Sequence, residues 1–378
     1  IQHMAAYPKG LKTPDMFNSI EEAIHDFKNG RILIVVDDED RENEGDFICA
    51  AERINPQTVN FMATEGRGLI CAPISELRAD QLDLPLMVAH NTSLHETAFT
   101  VSVDLIGHGC STGISTYDRA LTLNALVDDN FYSKDFARPG HIFPLRAKSG
   151  GVLQRTGHTE ATIDLARMAG MNPGGALVEI LNEDGSMARL PQLIEKSRRH
   201  GIKIISINDL VQYRLRSERL ITIEHQSIQR FGERELEIIQ FGQSDSSDKH
   251  IAVIHGNIQS DQVIPVRIQY CDSLAELLDV ILNKESAMLS KALQSLQQEQ
   301  SGILVLISNQ NKPKDPLNRI IHDRPRIIRP DQDQREIGIG SQILRDLGVH
   351  KIKLLTNKPR KNIGVEAYGL EIVEQSPV

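Results

Sequence analysis

Cysteine is scarce and scattered, with four residues at 49, 71, 110 and 271 and no Cys-x-x-Cys pair. That pattern excludes a disulfide framework and a zinc knuckle, and reads as reduced thiols. No stretch approaches the ~18 uncharged apolar residues of a membrane span, and no basic segment leads into an apolar core as a secretory signal would. A basic surplus is also missing. The net charge of −9 argues against a nucleic-acid-binding surface. With no fixed-period repeat or low-complexity tract, solenoid architectures are excluded. The expectation is a cytoplasmic chain with neither membrane nor nucleic-acid partners, in which Ile1–Met4 is a cloning remnant.

What is there suits a globular fold. Hydrophobic residues make up 40% and charged residues 25% of 378, too long a chain for one core, so two domains are expected. Lys and Arg number 20 against 29 Asp and Glu up to Tyr213, and 22 against 22 from Arg214 onward. The acidity lies wholly in the first part. The charged run Arg214-Leu-Arg-Ser-Glu-Arg219 reads as a solvated linker between domains at 14–213 and 220–378.

Residues 18–29 predict a capped helix, and Arg31-Ile-Leu-Ile-Val-Val36 a strand covered on both faces. Strand and helix signals interleave to residue 213 without regular alternation. The first domain is therefore α/β (α+β) with a mixed sheet rather than a doubly wound one. After 220, four short strand signals before Ile268 suggest an antiparallel portion of a second α+β domain. Helices are expected over 274–282, 288–298 and 340–347, and the proline-rich stretch 310–330 is not expected to form regular structure.

Two constellations carry chemistry. Directly after the 31–36 strand comes Asp37–Asp46, DDEDRENEGD, with seven carboxylates in ten positions and Arg41 among them. Carboxylates this dense repel unless cations neutralise them, and Mg²⁺ is the natural hard partner, although a solvated acidic loop would read the same. Arg41 suggests a partnered charge, and Gly45 a close backbone approach. The second is Arg155-Thr-Gly-His-Thr159 before a helix near Glu160, either a phosphate site at a helix start, with His158 as a metal ligand, or merely a glycine turn and cap. Arg138-Pro-Gly-His141 reads as a rigid turn holding one histidine, which could equally be a surface residue. Together these features describe a Mg²⁺-assisted enzyme acting on a small phosphorylated substrate.

The acidic run resembles, together with Gln81-Leu-Asp-Leu-Pro85, Asn91-Thr92, Arg138–Pro144, Gly150–Leu153 and Arg155–Thr162, the 3,4-dihydroxy-2-butanone 4-phosphate synthases of riboflavin biosynthesis, over residues 16–213. The resemblance implies that D-ribulose 5-phosphate loses C4 as formate, with Mg (or Mn) required. It implies Glu42 and His158 as metal ligands. Arg41, Glu42, Asp46, Arg155, Thr156, Gly157, His158, Thr159 and Glu179 become substrate contacts, with Arg155 and Thr159 at the phosphate. His141 and Glu179 become proton-transfer groups, in a homodimer where His141 reaches the neighbouring site.

In the second half, Asp333-Gln-Arg335, Gly338–Gly340, Gln342–Gly348, Leu354–Asn357 and Pro359–Lys361 resemble the end of GTP cyclohydrolase II. That family holds Zn²⁺ with three cysteines, in a Glu-Cys pair and a Cys-Asp-Cys run. Here His255-Gly256-Asn257 has none and Tyr270-Cys-Asp-Ser273 keeps only Cys271. One thiolate cannot hold a catalytic zinc. The expectation is thus a degenerate, GTP cyclohydrolase II-like second domain that is inactive and binds no zinc, although Asp333, Arg335, Thr356 and Lys361 are retained. The alternatives are a bifunctional enzyme in which Cys271 is joined by His255 or His250, and a nucleotide-binding regulator.

Overall fold

The computed structural model describes residues 16–38, 41–93, 97–231, 234–244, 248–259, 261–271, 291, 294–296, 298–308, 330–356 and 369–377. The chain divides into two compact units, Ile1–Tyr213 and Arg214–Val378.

The first unit is a seven-stranded mixed sheet with helices on both faces. Its strands are β1 (Leu33–Val36), β2 (Gly45–Ala50), β3 (Cys71–Ser75), β4 (Val103–Leu105), β5 (Phe136–Ala147), β6 (Gly175–Glu179) and β7 (Lys203–Ser206), in the order β4-β5-β3-β6-β2-β1-β7. The helices are α1 (Ile20–Lys28), α2 (Pro56–Phe61), α3 (Glu76–Gln81), α4 (Thr116–Val127), α5 (His158–Met168), α6 (Leu190–His200) and the first part of α7 (Ile207–Ser217), whose residues from Arg214 onward belong to the second unit. β1 is fully buried, as a continuous apolar run requires, and it pairs antiparallel with β2 and parallel with β7. On one face Ile34, Val36, Phe47, Ala72, Ile74 and Val178 join Val59, Leu123, Leu126 and Leu193 from α2, α4 and α6 in a single core. Leu33, Val35, Ile48 and Leu177 alternate to the other face, where α1 and α5 pack.

Several local rules are visible. α1 begins with a capping box in which Ser19 and Glu22 satisfy each other's main-chain N–H groups. Gly45 has no room for a Cβ, because Leu193 of α6 lies directly against it. The close approach expected at this glycine is thus made by the core.

Three expectations need correction. Gly45 and Asp46 belong to β2, so the acidic run is not a single solvated loop and its last two residues are buried strand. The Arg138–His141 segment is no isolated turn but an interruption inside β5: Val103 faces Ile142 while the next residue, Asp104, faces Ala137, leaving residues 138–141 bulged from the ladder. The Arg138–Pro139 bond is cis. Arg214–Ser217 is the last turn of α7 rather than a solvated linker; Arg214 is buried and its guanidinium forms a bidentate pair with Glu218 at 2.7 and 2.6 Å.

The second unit is also a seven-stranded mixed sheet. It comprises β8 (Ile221–Phe231), β9 (Arg234–Gln243), β10 (Lys249–His255), β11 (Val263–Cys271), β12 (Gly302–Ser308), β13 (Lys351–Leu355) and β14 (Glu371–Ser376). The order is β14-β13-β11-β12-β10-β9-β8, antiparallel from β8 to β12 and parallel from β12 to β14. A helix, α8 (Pro330–Asp346), packs Ile339, Ile343 and Leu344 into this core. It starts ten residues before the expected 340, because proline opens a helix without strain. Gln342 ties it down, donating to the Leu215 and Glu218 carbonyls and accepting from Leu220 N–H. The expected helix at 274–282 and the stretch 310–329 lie outside the described residues, whereas residues 291, 294–296 and 298 of the helix expected at 288–298 are described and helical. Lys361 and the side chains of Cys271, Asp333 and Arg335 also lie outside the described residues.

Two predictions follow from this packing. Arg78 of α3 is buried and donates to the carbonyls of Leu126, Ala125, Asp128 and Phe131, covering the open C-terminal end of α4. Arg78→Ala is expected to destabilise the protein by on the order of 3 kcal/mol, read from urea unfolding, because buried carbonyls lose their donors. Burial pushes the Cys49 thiol up to about 12, and burial, with Glu179 and Asp46 nearby, raises Cys71 further. A thiol with such a value is almost wholly protonated at pH 8 and inert. Alkylation at pH 8 followed by mass spectrometry should leave both residues unmodified in the native chain and modify both in guanidinium.

Candidate active site

Four segment ends of the first unit converge on the α5 face of the sheet. They are the C-terminal end of β1, the start of β2, the end of β6 and the N-terminus of α5. β1 stops because Asp37 and its acidic neighbours cannot continue a buried strand. The Asp37 side chain is almost fully buried, and its carboxylate accepts from Glu42 N–H (3.1 Å), Glu44 N–H (2.8 Å) and the Arg41 guanidinium (2.9 Å). Those bonds shape the 37–44 turn. Arg41 reaches in the other direction to Glu42, 2.8 Å away. Asn43 takes the positive φ that the turn requires, and Arg189 from the start of α6 donates to the carbonyls of Glu42 and Asn43.

Opposite this turn begins α5. Gly157 occupies its cap position without a capping side chain, so the first turn keeps its N–H groups and positive dipole end pointed at the acidic turn. His158 is the first helical residue and is buried. Its Nε2 lies 3.1 Å from the Val35 carbonyl, which can only accept, so the proton sits on Nε2 and Nδ1 carries the lone pair. Burial lowers the pKa of the imidazole, against the pull of Asp37 and Glu42, which favours the neutral ring. Nδ1 lies 3.9 Å from Asp46.

One ligand atom each from Asp37, Glu42 and His158 fall within 4.8 Å of one another. Asp46 follows on β2, level with Glu179 of β6. Buried, and facing Glu179, Glu42, Glu44 and Asp37, Asp46 has a pKa raised well above the carboxylate range. Glu44 is raised too, by burial and by Glu42. Like charges ~4 Å apart cost about 4 kcal/mol at the effective dielectric of a protein surface, so a site this rich in carboxylates favours a cation. The donor set, carboxylate oxygens with one imidazole, fits Mg²⁺ or Mn²⁺.

Of the residues expected at the site, Arg41, Glu42, Asp46, His158 and Glu179 meet here, with Arg155, Thr156, Gly157 and Thr159 adjoining along the chain. Arg155 is already engaged, its guanidinium 2.7 Å from the buried Glu160 carboxylate. Glu179 accepts from Leu69 N–H (2.8 Å), and a Cβ on Gly68 would lie 2.7 Å from the Glu179 carbonyl. His141 lies apart. It sits on β5, with β3 and β6 between that strand and β2, so the two strands are three spacings or about 14 Å apart.

Sequence reasoning did not single out Asp37, Arg189, Glu160 or Asp164. Asp37 was hidden among equivalent acids, and its position as the first residue after the apolar run was the available signal. Glu160 accepts from Lys148 N–H and Asp164 from Val152 N–H, so two buried acids of α5 hold the 148–157 loop in place. Their i, i+4 spacing, which sets both on one helix face, was the signal there.

Among the described residues, no helix is long and apolar enough to cross a membrane. The family model of 3,4-dihydroxy-2-butanone 4-phosphate synthase matches residues 21–213, and that of GTP cyclohydrolase II matches residues 218–377. The chain is 47% identical over 374 residues to riboflavin biosynthesis protein RibBA of Porphyromonas gingivalis, covering 96% of this chain and 92% of that protein. It is similar in structure to RibBX, a two domain 3,4-dihydroxy-2-butanone 4-phosphate synthase from A. baumannii, with a TM-score of 0.77, 35% identity, and 96% and 99% of the two chains covered. A 3,4-dihydroxy-2-butanone 4-phosphate synthase in complex with two magnesium ions matches with a TM-score of 0.52 and 41% identity over 53% of this chain and 98% of that one. The acidic turn facing a helix start thus sits in a riboflavin-biosynthesis enzyme, and the chain belongs to the 3,4-dihydroxy-2-butanone 4-phosphate synthase family, with a GTP cyclohydrolase II domain as its second half.

Proposed function

We propose that the first unit converts D-ribulose 5-phosphate to L-3,4-dihydroxy-2-butanone 4-phosphate and formate, with Mg²⁺ or Mn²⁺ held by Glu42 and His158. The observation that carries this reading is the convergence of Asp37, Glu42 and His158 from two distant segments. Asp37 is the less available of the two carboxylates, since main-chain N–H groups and Arg41 occupy it. A divalent cation, when bound, supplies Lewis-acid stabilisation of the negative charge that develops beside the sugar carbonyl.

The remaining roles belong to the protein's own groups. The open first turn of α5, with Thr159 and Arg155, receives the phosphate end of the substrate. Arg41 and Asp46 orient the sugar hydroxyls. Glu179, fixed by Leu69 N–H, is placed to move a proton at the carbon chain. His141 acts on the site of a second copy in a homodimer. Its distance along the sheet supports this, as do the exposed apolar side chains of Leu86, Met87, Ile106 and Tyr132 near the β4–β5 edge.

Glu42→Gln is expected to abolish cation-dependent formate release from ribulose 5-phosphate, by roughly 10²-fold or more, and to weaken Mn²⁺ binding in calorimetry while the circular dichroism spectrum stays unchanged. Retained Mn²⁺ affinity together with full turnover would overturn the assignment.

For the second unit, the GTP cyclohydrolase II match and the full-length RibBA relatives favour the bifunctional alternative over the inactive domain expected from sequence. The cysteine count stands against zinc chemistry, since residues 214–378 contain Cys271 alone. Zinc analysis of the full chain with a GTP-to-formate assay decides between them. A bifunctional enzyme should show one zinc per chain and formate from GTP, and an inactive domain neither.

A further inference from the structure

The 138–141 bulge of β5 is held unusually firmly for an exposed segment. Gly140 N–H donates to both the carbonyl and the hydroxyl of Ser102 at 3.1 Å, and a Cβ on Gly140 would overlap the main chain of Val103 and Asp104. Arg138 anchors the other end, donating to the Leu82 carbonyl at 2.6 Å. The bulge therefore fixes where His141 stands. What fixes its ring is Asp104. Oδ1 accepts from the His141 main-chain N–H at 2.8 Å, and Oδ2 lies 2.7 Å from ring Nδ1. Behind the carboxylate, Gly113 at φ +88° leaves no room for a Cβ, so the 107–115 loop closes against it.

We infer that Asp104 is a positioning residue that sets the tautomer and orientation of His141, an inference that rests on reading His141 as a proton-transfer group. An ionised carboxylate only accepts, so a proton is required on Nδ1, and the neutral ring then carries its lone pair on Nε2. Nε2 is the atom able to take a proton from substrate. The ring is 43% exposed and the Asp104 side chain 15%, which leaves the histidine accessible while its partner is shielded. Asn at 104 keeps the shape but can offer an N–H toward Nδ1, which moves the lone pair to Nδ1 and the proton to Nε2. Asp104 touches neither phosphate nor cation in this scheme, so substrate affinity should be spared.

The test is a cycle in the full-length chain of Asp104→Asn, His141→Asn, the double variant and Asp104→Glu, assayed for formate release. Asp104→Asn is expected to lower kcat by roughly 10²-fold, the usual range for a misoriented acid–base group, with KM nearly unchanged. In the His141→Asn background the same change should do nothing further, and Asp104→Glu should recover part of the loss. Nitrogen-15 NMR of the histidine ring should report protonated Nδ1 in the parent and protonated Nε2 in Asp104→Asn. An unchanged kcat in Asp104→Asn, or an equal fold-loss in both backgrounds, overturns the inference. Should His141→Asn itself retain full turnover, the reading of His141 fails instead, and the ring tautomer still decides whether Asp104 governs it.

Discussion

One hydrogen bond organises the first unit, from Nε2 of His158 to the carbonyl of Val35, 123 residues earlier in the chain. It joins the first residue of α5 to the penultimate residue of β1, bringing the positive end of the helix against the acidic turn that follows the strand. The carbonyl can only accept, so the bond also decides which ring nitrogen faces the carboxylates. Position and chemistry of the imidazole thus come from a single main-chain atom of β1, a strand flanked on both sides by β2 and β7.

Around that fixed point the protein concentrates negative charge that it compensates only in part. Asp37 is neutralised where it stands, by Arg41 and two main-chain N–H groups, and acts as the scaffold of the turn. Asp46 has no such donors among the described residues, and burial with the neighbouring carboxylates raises its pKa. Glu42 lies between these extremes, partly exposed and paired with Arg41. Three acids within one turn and strand start therefore have three different characters, set by what donates to each. Arg189 steadies the turn from outside through main-chain carbonyls, and so adds positive charge without occupying a carboxylate.

Much of this was legible in the sequence. An apolar run ending in acid marks a strand end rich in charge, and Arg-Thr-Gly-His-Thr marks a helix start, because glycine before a helical run frees the first N–H groups. What periodicity could not supply was the pairing between them. The interruption in β5 escaped too: proline and glycine at 139 and 140 announce a break in regular backbone, but not that the strand resumes on the other side. Buried Glu160 and Asp164 escaped as well, since their partners are main-chain N–H groups of a loop that local sequence does not place. In the second unit, the start of α8 was missed because Pro330 closes a proline-rich stretch and yet begins the helix.

The two histidines assigned to chemistry are opposite solutions to the same problem. An imidazole is ambiguous until something fixes which nitrogen holds the proton. For His158 the acceptor is a carbonyl at Nε2, the ring is buried, and the lone pair at Nδ1 faces carboxylates, an arrangement suited to holding a cation. For His141 the acceptor is a carboxylate at Nδ1, the ring is half-exposed, and the lone pair falls to Nε2, an arrangement suited to exchanging protons. A neutral carbonyl fixes a tautomer without adding charge, whereas an ionised carboxylate also stabilises the protonated ring. The carbonyl therefore belongs where the histidine must stay neutral, and the carboxylate where it must be able to charge and discharge.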